Sequence, residues 1–444
     1  VTESPGAARQ PRNLGRLAFH TFGNLVLGLG VQIVAGIAVG RVLGPAAKGQ
    51  IAYAGYVLAL VLTAAEGLRA AISHFMGPRA VPRPSVWAAS LRLLWVLAAV
   101  AAGIALTLSA ADRAHTLPYI AAAVAIPFAL YLQVVNIVYQ ISHRLERINL
   151  QNTLTVGAGT SFVVLGAVVF FHAGVPAVLA IWVLGYIVAS LWSRTSLHAM
   201  LGGRPRFDRP ELVRQAAGFG LKASLAASVA FLALRVDVFI VAAMLAPATL
   251  GVYSVAISSG EMIWLVSKSL TWSALGSITT LRDDRDAAEL AAKVARGAVY
   301  AGLVVAVPLF VLGPWLIATV YGERFAGAGD VLRVVLPGLV LYGADGVLSF
   351  YLAARAGRPG TLLILESLAL VVCAACTYAG VLRFGAVGAG AANTITYALA
   401  IALKAAFFLR ETGLSPADLI VPRLGDLPRF AGYGRPATST TSPS

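Results

Sequence analysis

The chain has 444 residues, of which 59% are hydrophobic and only 12% charged, with a formal net charge of +15. Soluble domains carry about a quarter charged residues, so a water-soluble globular protein is excluded. Apolar runs of about 18–25 residues without strand-type alternation predict an all-α integral membrane protein and exclude a barrel.

Residues 1–16 carry Arg9, Arg12 and Arg16 among Pro and Gly and read as a basic cytoplasmic tail. No cleavable signal peptide is expected, because the first apolar run is full length and lacks a small-residue cleavage pattern. Twelve helices are predicted, over 17–39, 50–73, 87–110, 117–139, 154–172, 176–193, 216–243, 249–272, 294–318, 331–354, 360–382 and 386–409. The segment 194–215, with several Arg and two Pro, divides them into lobes at 17–193 and 216–410. Residues 411–444 read as a disordered cytoplasmic tail.

The basic residues sort by side. One set of alternate loops holds only Arg41, Lys48, Arg113, Arg324, Arg333 and Arg383, while the other holds most of the rest, among them Arg79, Arg83, Arg144, Arg147, Arg355 and Arg358. The positive-inside rule then places both termini in the cytoplasm and the chain in the cytoplasmic membrane. The net charge is a topology signal, and no nucleic-acid partner is expected.

The stretch 281–296 is mixed in charge and is expected to form a solvated cytoplasmic helix. Its Asp284-Arg285-Asp286 mimics the Asp-x-Asp of sugar-nucleotide enzymes but reads better as an exposed face. Cys373 and Cys376 lie in an apolar run and are expected as small buried residues; the His are scattered singly, so no metal site is predicted.

An internal repeat organises the chain. Leu43-Gly44-Pro45-Ala46-Ala47-Lys48-Gly49 returns 202 residues later as Leu245-Ala246-Pro247-Ala248-Thr249-Leu250-Gly251. Pro127 followed by Arg144 and Arg147 matches Pro337 followed by Arg355 and Arg358. Gly174-Val175-Pro176-Ala177 matches Ala386-Val387-Gly388-Ala389. Three matches in one order predict two parallel six-helix lobes related by a pseudo-two-fold along the membrane normal, with a cavity between them.

The run Arg41-Val42-Leu43-Gly44-Pro45 with Gly49, then Arg235-Val236-Asp237 leading to Leu250-Gly251-Val252-Tyr253-Ser254-Val255-Ala256, resembles the polysaccharide transporters. These oligosaccharide flippases (Wzx-like) form a branch of the multidrug/oligosaccharidyl-lipid/polysaccharide (MOP) exporter superfamily. Tyr321-Gly322-Glu323-Arg324-Phe325 and Leu352-Ala353-Ala354-Arg355-Ala356-Gly357-Arg358 carry the same likeness. The second copy of the repeat departs from the family pattern where Ala246 replaces a Gly. The resemblance implies a MATE-like fold, alternating access, and export of an undecaprenyl-pyrophosphate-linked glycan. It implies no enzyme activity and no cofactor beyond coupling to H⁺ or Na⁺, and it suggests glycan polymerase or glycosyltransferase partners.

Ionisable residues inside spanning helices are the default site candidates, because burying them in lipid costs several kcal/mol. They are Glu66 and Arg69, Lys222, Arg235 and Asp237, Glu261 and Lys268, Asp345, and Glu366. Glu66 and Arg69 are three apart and Glu261 and Lys268 seven apart, so each pair shares a helix face. Arg235 and Asp237 point nearly oppositely, so one needs a partner on another helix. Glu66 and Lys268 correspond across the repeat.

Arg69, Lys222, Lys268 and Arg235, with Glu66, are expected to receive the pyrophosphate and sugar of a lipid-linked oligosaccharide. Against this, Glu66–Arg69 and Glu261–Lys268 are structural pairs and the lysines snorkel. Trp264 is placed to stack on a sugar, or to contact lipid tails or a neighbouring helix. Asp345, Glu261 and Asp237 are ion-coupling candidates. The competing class is a MATE-type multidrug antiporter; a membrane glycosyltransferase or polymerase would need larger catalytic outer loops.

Overall fold

The structure is a computed structural model and describes residues 14–76, 81–142, 144–152, 157–201, 203 and 205–421. The N-terminal tail up to residue 13, the C-terminal tail from 422, Arg79 and Arg204 lie outside the described residues. The expectations for residues 1–13 and 422–444 therefore fall outside it as well, but the disorder expected from residue 411 does not extend to 411–421, which include a short helix at Pro416–Ile420 held by the Tyr300 hydroxyl donating to the Ile420 carbonyl at 2.6 Å.

The described chain is helical throughout. α1 (Leu14–Ala64) is 51 residues long, roughly 75 Å at 1.5 Å per residue and more than twice a hydrocarbon core. It cannot be one span. It is broken at Gly44, with φ 85° and ψ 179°, a conformation that a Cβ disfavours. In the second copy of the repeat the residue is Ala246, which takes an ordinary extended conformation instead (φ −64°, ψ 150°) between two separate helices. The Gly-to-Ala difference in sequence thus becomes two different turns.

α2 (Glu66–Met76) continues after a break at Ala65. α3 (Arg83–Ala111), α4 (Thr116–Ile141), the short α5 (Leu145–Gln151), α6 (Ala158–Phe171) and α7 (Val175–Leu201) complete the first half. α8 (Pro210–Met244) opens the second, followed by α9 (Pro247–Glu261) and α10 (Trp264–Thr280), bent by 42° at their junction. α11 (Asp284–Tyr321), α12 (Ala328–Tyr342), α13 (Asp345–Phe350) with a π turn at Tyr351–Arg355, α14 (Pro359–Thr412) and the short α15 (Pro416–Ile420) follow. α14 is 54 residues long and breaks at Gly385, φ 59°.

Eight helices among the described residues are long and apolar enough to cross a membrane, and the bent α9–α10 pair makes nine. Two of the eight, α1 and α14, are double length, and the shorter apolar α6 supplies the last of the twelve expected crossings. Bulky apolar side chains such as Trp95, Phe162, Phe170, Val304, Val311 and Trp315 stand exposed along these helices. That is the surface a lipid-facing protein presents.

The expected separate helix at 281–296 is a correction: it is the first part of α11, continuous with the span. Only one side of it is solvated. Ala287, Ala288, Ala291, Ala292 and Ala295 are buried against Ile278, Val347, Leu348 and Phe408. Asp284 is spent on Arg355, whose Nη2 donates to it at 2.5 Å, so the Asp-x-Asp mimic has a structural use.

The two repeat copies meet face to face. A Cβ added at Gly49 would overlap the backbone of Pro247 and Gly251, and one at Gly251 would overlap Pro45 and Gly49. One glycine on each helix, Gly49 and Gly251, each four residues after a proline, lets the backbones touch, as in close-packed membrane helices. Beside this seam Gly40 lies on Tyr321, Phe325 is fully buried, and the Arg41 guanidinium donates to the Thr319 carbonyl at 3.2 Å. A second seam joins α2 and α8 through Gly67 and Gly220, where Ser224 Oγ donates to the Ala64 carbonyl at 2.5 Å.

Candidate functional site

The intramembrane charges separate into four places, with Lys268 standing apart from all of them. The first is on the α8–α9 hairpin. Arg235 lies nine residues before the end of α8 and Glu261 fourteen after the start of α9, so both sit roughly 14–21 Å in from the hairpin turn. Their side chains meet in a two-point ion pair, with Arg235 Nη2 to Glu261 Oε2 at 2.8 Å. They are 13% and 19% exposed, so the pair is largely out of water yet still reachable. The Tyr56 ring, from the other repeat half, lies 5.6 Å from the guanidinium. The pair therefore stands at the junction between lobes.

This corrects the expected Glu261–Lys268 pair. Seven residues make one helix face only if the helix is continuous, and α9 ends at Glu261 while α10 starts at Trp264. Lys268 instead is exposed, its ammonium 5.7 Å from the Trp264 ring, with no ion-pair partner among the described residues.

Trp264 does not face solvent. It is 6% exposed, its indole N–H donates to the Leu339 carbonyl at 3.0 Å, and its ring packs with Tyr342 and Tyr397. Of the expected roles, contact with neighbouring helices is the one this geometry provides.

The second place lies along the α2–α8 seam. Glu66 and Arg69 form the expected pair at 2.8 Å, and Arg69 Nε is buried without a hydrogen-bond partner. Lys222 is two residues from Gly220, the glycine that touches Gly67 of α2, and is exposed. Arg69, Glu66 and Lys222 are thus brought to one level by the Gly67–Gly220 contact. Lys268 stands apart from them on α10.

The third place is Asp237, fully buried and turned away from Arg235 as the two-residue spacing requires. The Tyr253 hydroxyl donates to its Oδ2, and Asn393 Nδ2 donates to the same oxygen at 2.7 Å. Its Oδ1 has no hydrogen-bond partner. Cys373 borders this cluster, 3.7 Å from Asn393 Oδ1, buried as expected.

The fourth was only half visible in sequence. Lys404 of α14 is 0% exposed and donates to Glu366 at 2.6 Å and to Asp345. Lys404 does not stand out in the sequence because it lies in an unbroken apolar run near a helix end. The signal that would find it is arithmetic: two acids inside apolar runs, Asp345 half-buried and Glu366 buried, need a cation. No group of three or more His, Cys, Asp or Glu placed to hold a metal occurs among the described residues.

Comparison with known proteins adds three findings. A family model described as polysaccharide biosynthesis protein matches residues 38–329. No curated protein matches. Solved structures match across nearly the whole chain. An inward-facing multidrug resistance MATE family transporter of the MOP superfamily is 19% identical, with TM-score 0.66 over 89% of this chain and 99% of that one. The lipid II flippase MurJ in an inward closed conformation is 13% identical, with TM-score 0.71 over 90% and 88%. A MOP superfamily transporter from Pyrococcus furiosus is 17% identical, with TM-score 0.58 over 87% and 94%. At these identities the likeness is one of fold: two lobes of membrane-spanning helices.

Proposed function

The chain belongs to the polysaccharide biosynthesis protein family, and we propose from that premise that it is a flippase for an undecaprenyl-pyrophosphate-linked oligosaccharide. It moves this substrate from the inner to the outer leaflet of the cytoplasmic membrane by alternating access between its two lobes.

The observation that supports this reading is the Arg235–Glu261 pair at the lobe junction. A guanidinium whose two N–H groups grip a carboxylate can grip a phosphate with the same fork, so a pyrophosphate competes directly with Glu261. Arg69, Lys222 and Lys268, towards the arginine-rich face, supply the attraction that brings an anionic headgroup to it. Glu261 neutralises Arg235 while no substrate is bound, which keeps an unpaired buried charge from forming.

The reading is tested in cells whose own flippase has been deleted. Arg235→Gln, and Arg69→Gln with Lys268→Gln, are expected to abolish surface glycan while lipid-linked intermediate accumulates inside. Unchanged surface glycan in both variants overturns it.

A second reading, a multidrug antiporter, rests on Asp237. A fully buried carboxylate with one orphaned oxygen holds either a proton or a cation, as exchange with an ion gradient requires. In the flippase reading the same residue couples glycan export to H⁺ or Na⁺. Drug susceptibility that changes with Asp237→Asn while surface glycan does not would favour the antiporter.

A further inference from the structure

A cavity of 280 Å³ lies at the arginine-rich end of the second half, walled by Leu352, Arg358, Thr361, Phe407, Arg410 and Glu411. The first turn of α14 and its last turns form most of the wall, so one broken helix supplies both sides. It uses none of the charges assigned to transport. Its volume is below the roughly 300–1,000 Å³ of pockets that enclose a drug-sized molecule, which suits a small headgroup.

Its charge is unbalanced. Arg358 donates to Glu411 at 3.2 Å, but the two side chains are 57% and 37% exposed, so the pair is weak and easily exchanged. Arg410 is exposed and has no ion-pair partner among the described residues. Two guanidiniums against one carboxylate leave a net positive site.

Its surroundings are apolar in one direction only. Thr361, Ile364, Leu368 and Val371 follow at intervals of three and four, so they form one stripe up α14. Ile364, Leu368 and Val371 are 69%, 44% and 64% exposed, and Phe407 on the cavity wall is 41% exposed. The stripe starts inside the cavity and runs towards the middle of the membrane. A ligand that fits has an anionic head and a long apolar tail.

We propose that this cavity binds the phosphate of an anionic phospholipid from the leaflet at the arginine-rich face. Arg358 and Arg410 hold the phosphate oxygens, Thr361 donates its hydroxyl, and one acyl chain lies along the Ile364–Leu368–Val371 stripe. Basic pockets between spanning helices bind anionic headgroups in this manner. The lipid bridges the two ends of α14, and its presence does not depend on which substrate the protein carries.

Native mass spectrometry of the full chain in detergent, titrated with phosphatidylglycerol or with phosphatidylcholine of the same acyl chains, tests this. The wild type is expected to retain phosphatidylglycerol in a tight adduct and to shed phosphatidylcholine. Arg358→Gln with Arg410→Gln is expected to weaken the adduct about fivefold for each arginine removed. Thr361→Phe, which fills the cavity and keeps every charge, is expected to lose the adduct as well. Arg144→Gln with Arg147→Gln, another basic pair on the same face, is expected to leave it intact. Equal retention of the two lipids overturns the proposal, as does an adduct that survives Thr361→Phe. Equal loss in the Arg144/Arg147 variant would mean that bulk charge, not this cavity, holds the lipid. Displacement by millimolar inorganic phosphate would mean a free-anion site and would likewise refute it.

Discussion

Lys404 is the residue whose loss the fold should tolerate least. It is fully buried between Asp345 and Glu366, and removing one partner of a buried ion cluster costs about 3–5 kcal/mol because the others are stranded. Lys404→Met is therefore expected to lower the thermal unfolding midpoint in detergent sharply. The neutral triple variant Lys404→Met, Asp345→Asn, Glu366→Gln is expected to recover most of the loss. An unaffected midpoint in the single variant would contradict the cluster. The residue level is also where sequence reading was least complete. Which residues are buried charges was legible for Asp237, Glu261, Asp345 and Glu366, since an acid in an apolar run declares itself. Their partners were not, because Arg235 and Glu261 are 26 positions apart, and Lys404 and Asp345 are 59 apart. Spacing along one helix reveals neighbours on that helix only.

At the level of elements, the breaks govern what pairs with what. Gly44 and Gly385 are the two positive-φ residues that fold double-length helices into separate spans. A β-branched residue at positive φ costs about 1–3 kcal/mol, so Gly44→Val should lower the unfolding midpoint, whereas Ala246→Gly should be close to neutral. If both behaved alike, the two turns would not differ as described. The helix segments and these two turns are readable from apolar run length and, at Gly44-Pro45 alone, from a Gly-Pro signal. The break after Glu261 was not, because Met262-Ile263-Trp264 is as apolar as the rest of the run. Neither was the end of α12 at Tyr342. There Gly343 N–H bonds the Val340 carbonyl in a tightened turn, and the Trp264 indole reaches across to the Leu339 carbonyl.

The stretches that carry the family resemblance, Arg41–Gly49 and Tyr321–Phe325, are not a reaction centre; they pack on one another and on Gly251. At the scale of the whole molecule this seam holds one end of the two halves together. The alternating access proposed above needs it to part, and Gly251→Leu should force it apart because a side chain there meets the backbone of Pro45. A cysteine at Tyr56 should then become reactive to an impermeant thiol reagent added outside, while the same cysteine without Gly251→Leu stays protected. Equal labelling would show that the seam does not seal that side. Lys404 has a consequence for the molecule in an electric field. Once it is counted, the intramembrane ionisable residues are Arg69, Lys222, Arg235, Lys268 and Lys404 against Glu66, Asp237, Glu261, Asp345 and Glu366. Lys404 lies between Asp345 and Glu366, and Arg235 on Glu261, so the deep cations stand paired and voltage acts on the anionic cargo as well. Each negative charge carried outward from a cytoplasm at negative potential gains ~2.3 kcal/mol per 100 mV. In proteoliposomes, flipping of an anionic glycolipid should therefore accelerate under an inside-negative potential and slow when its sign is reversed, making the resting membrane voltage itself a source of work for export.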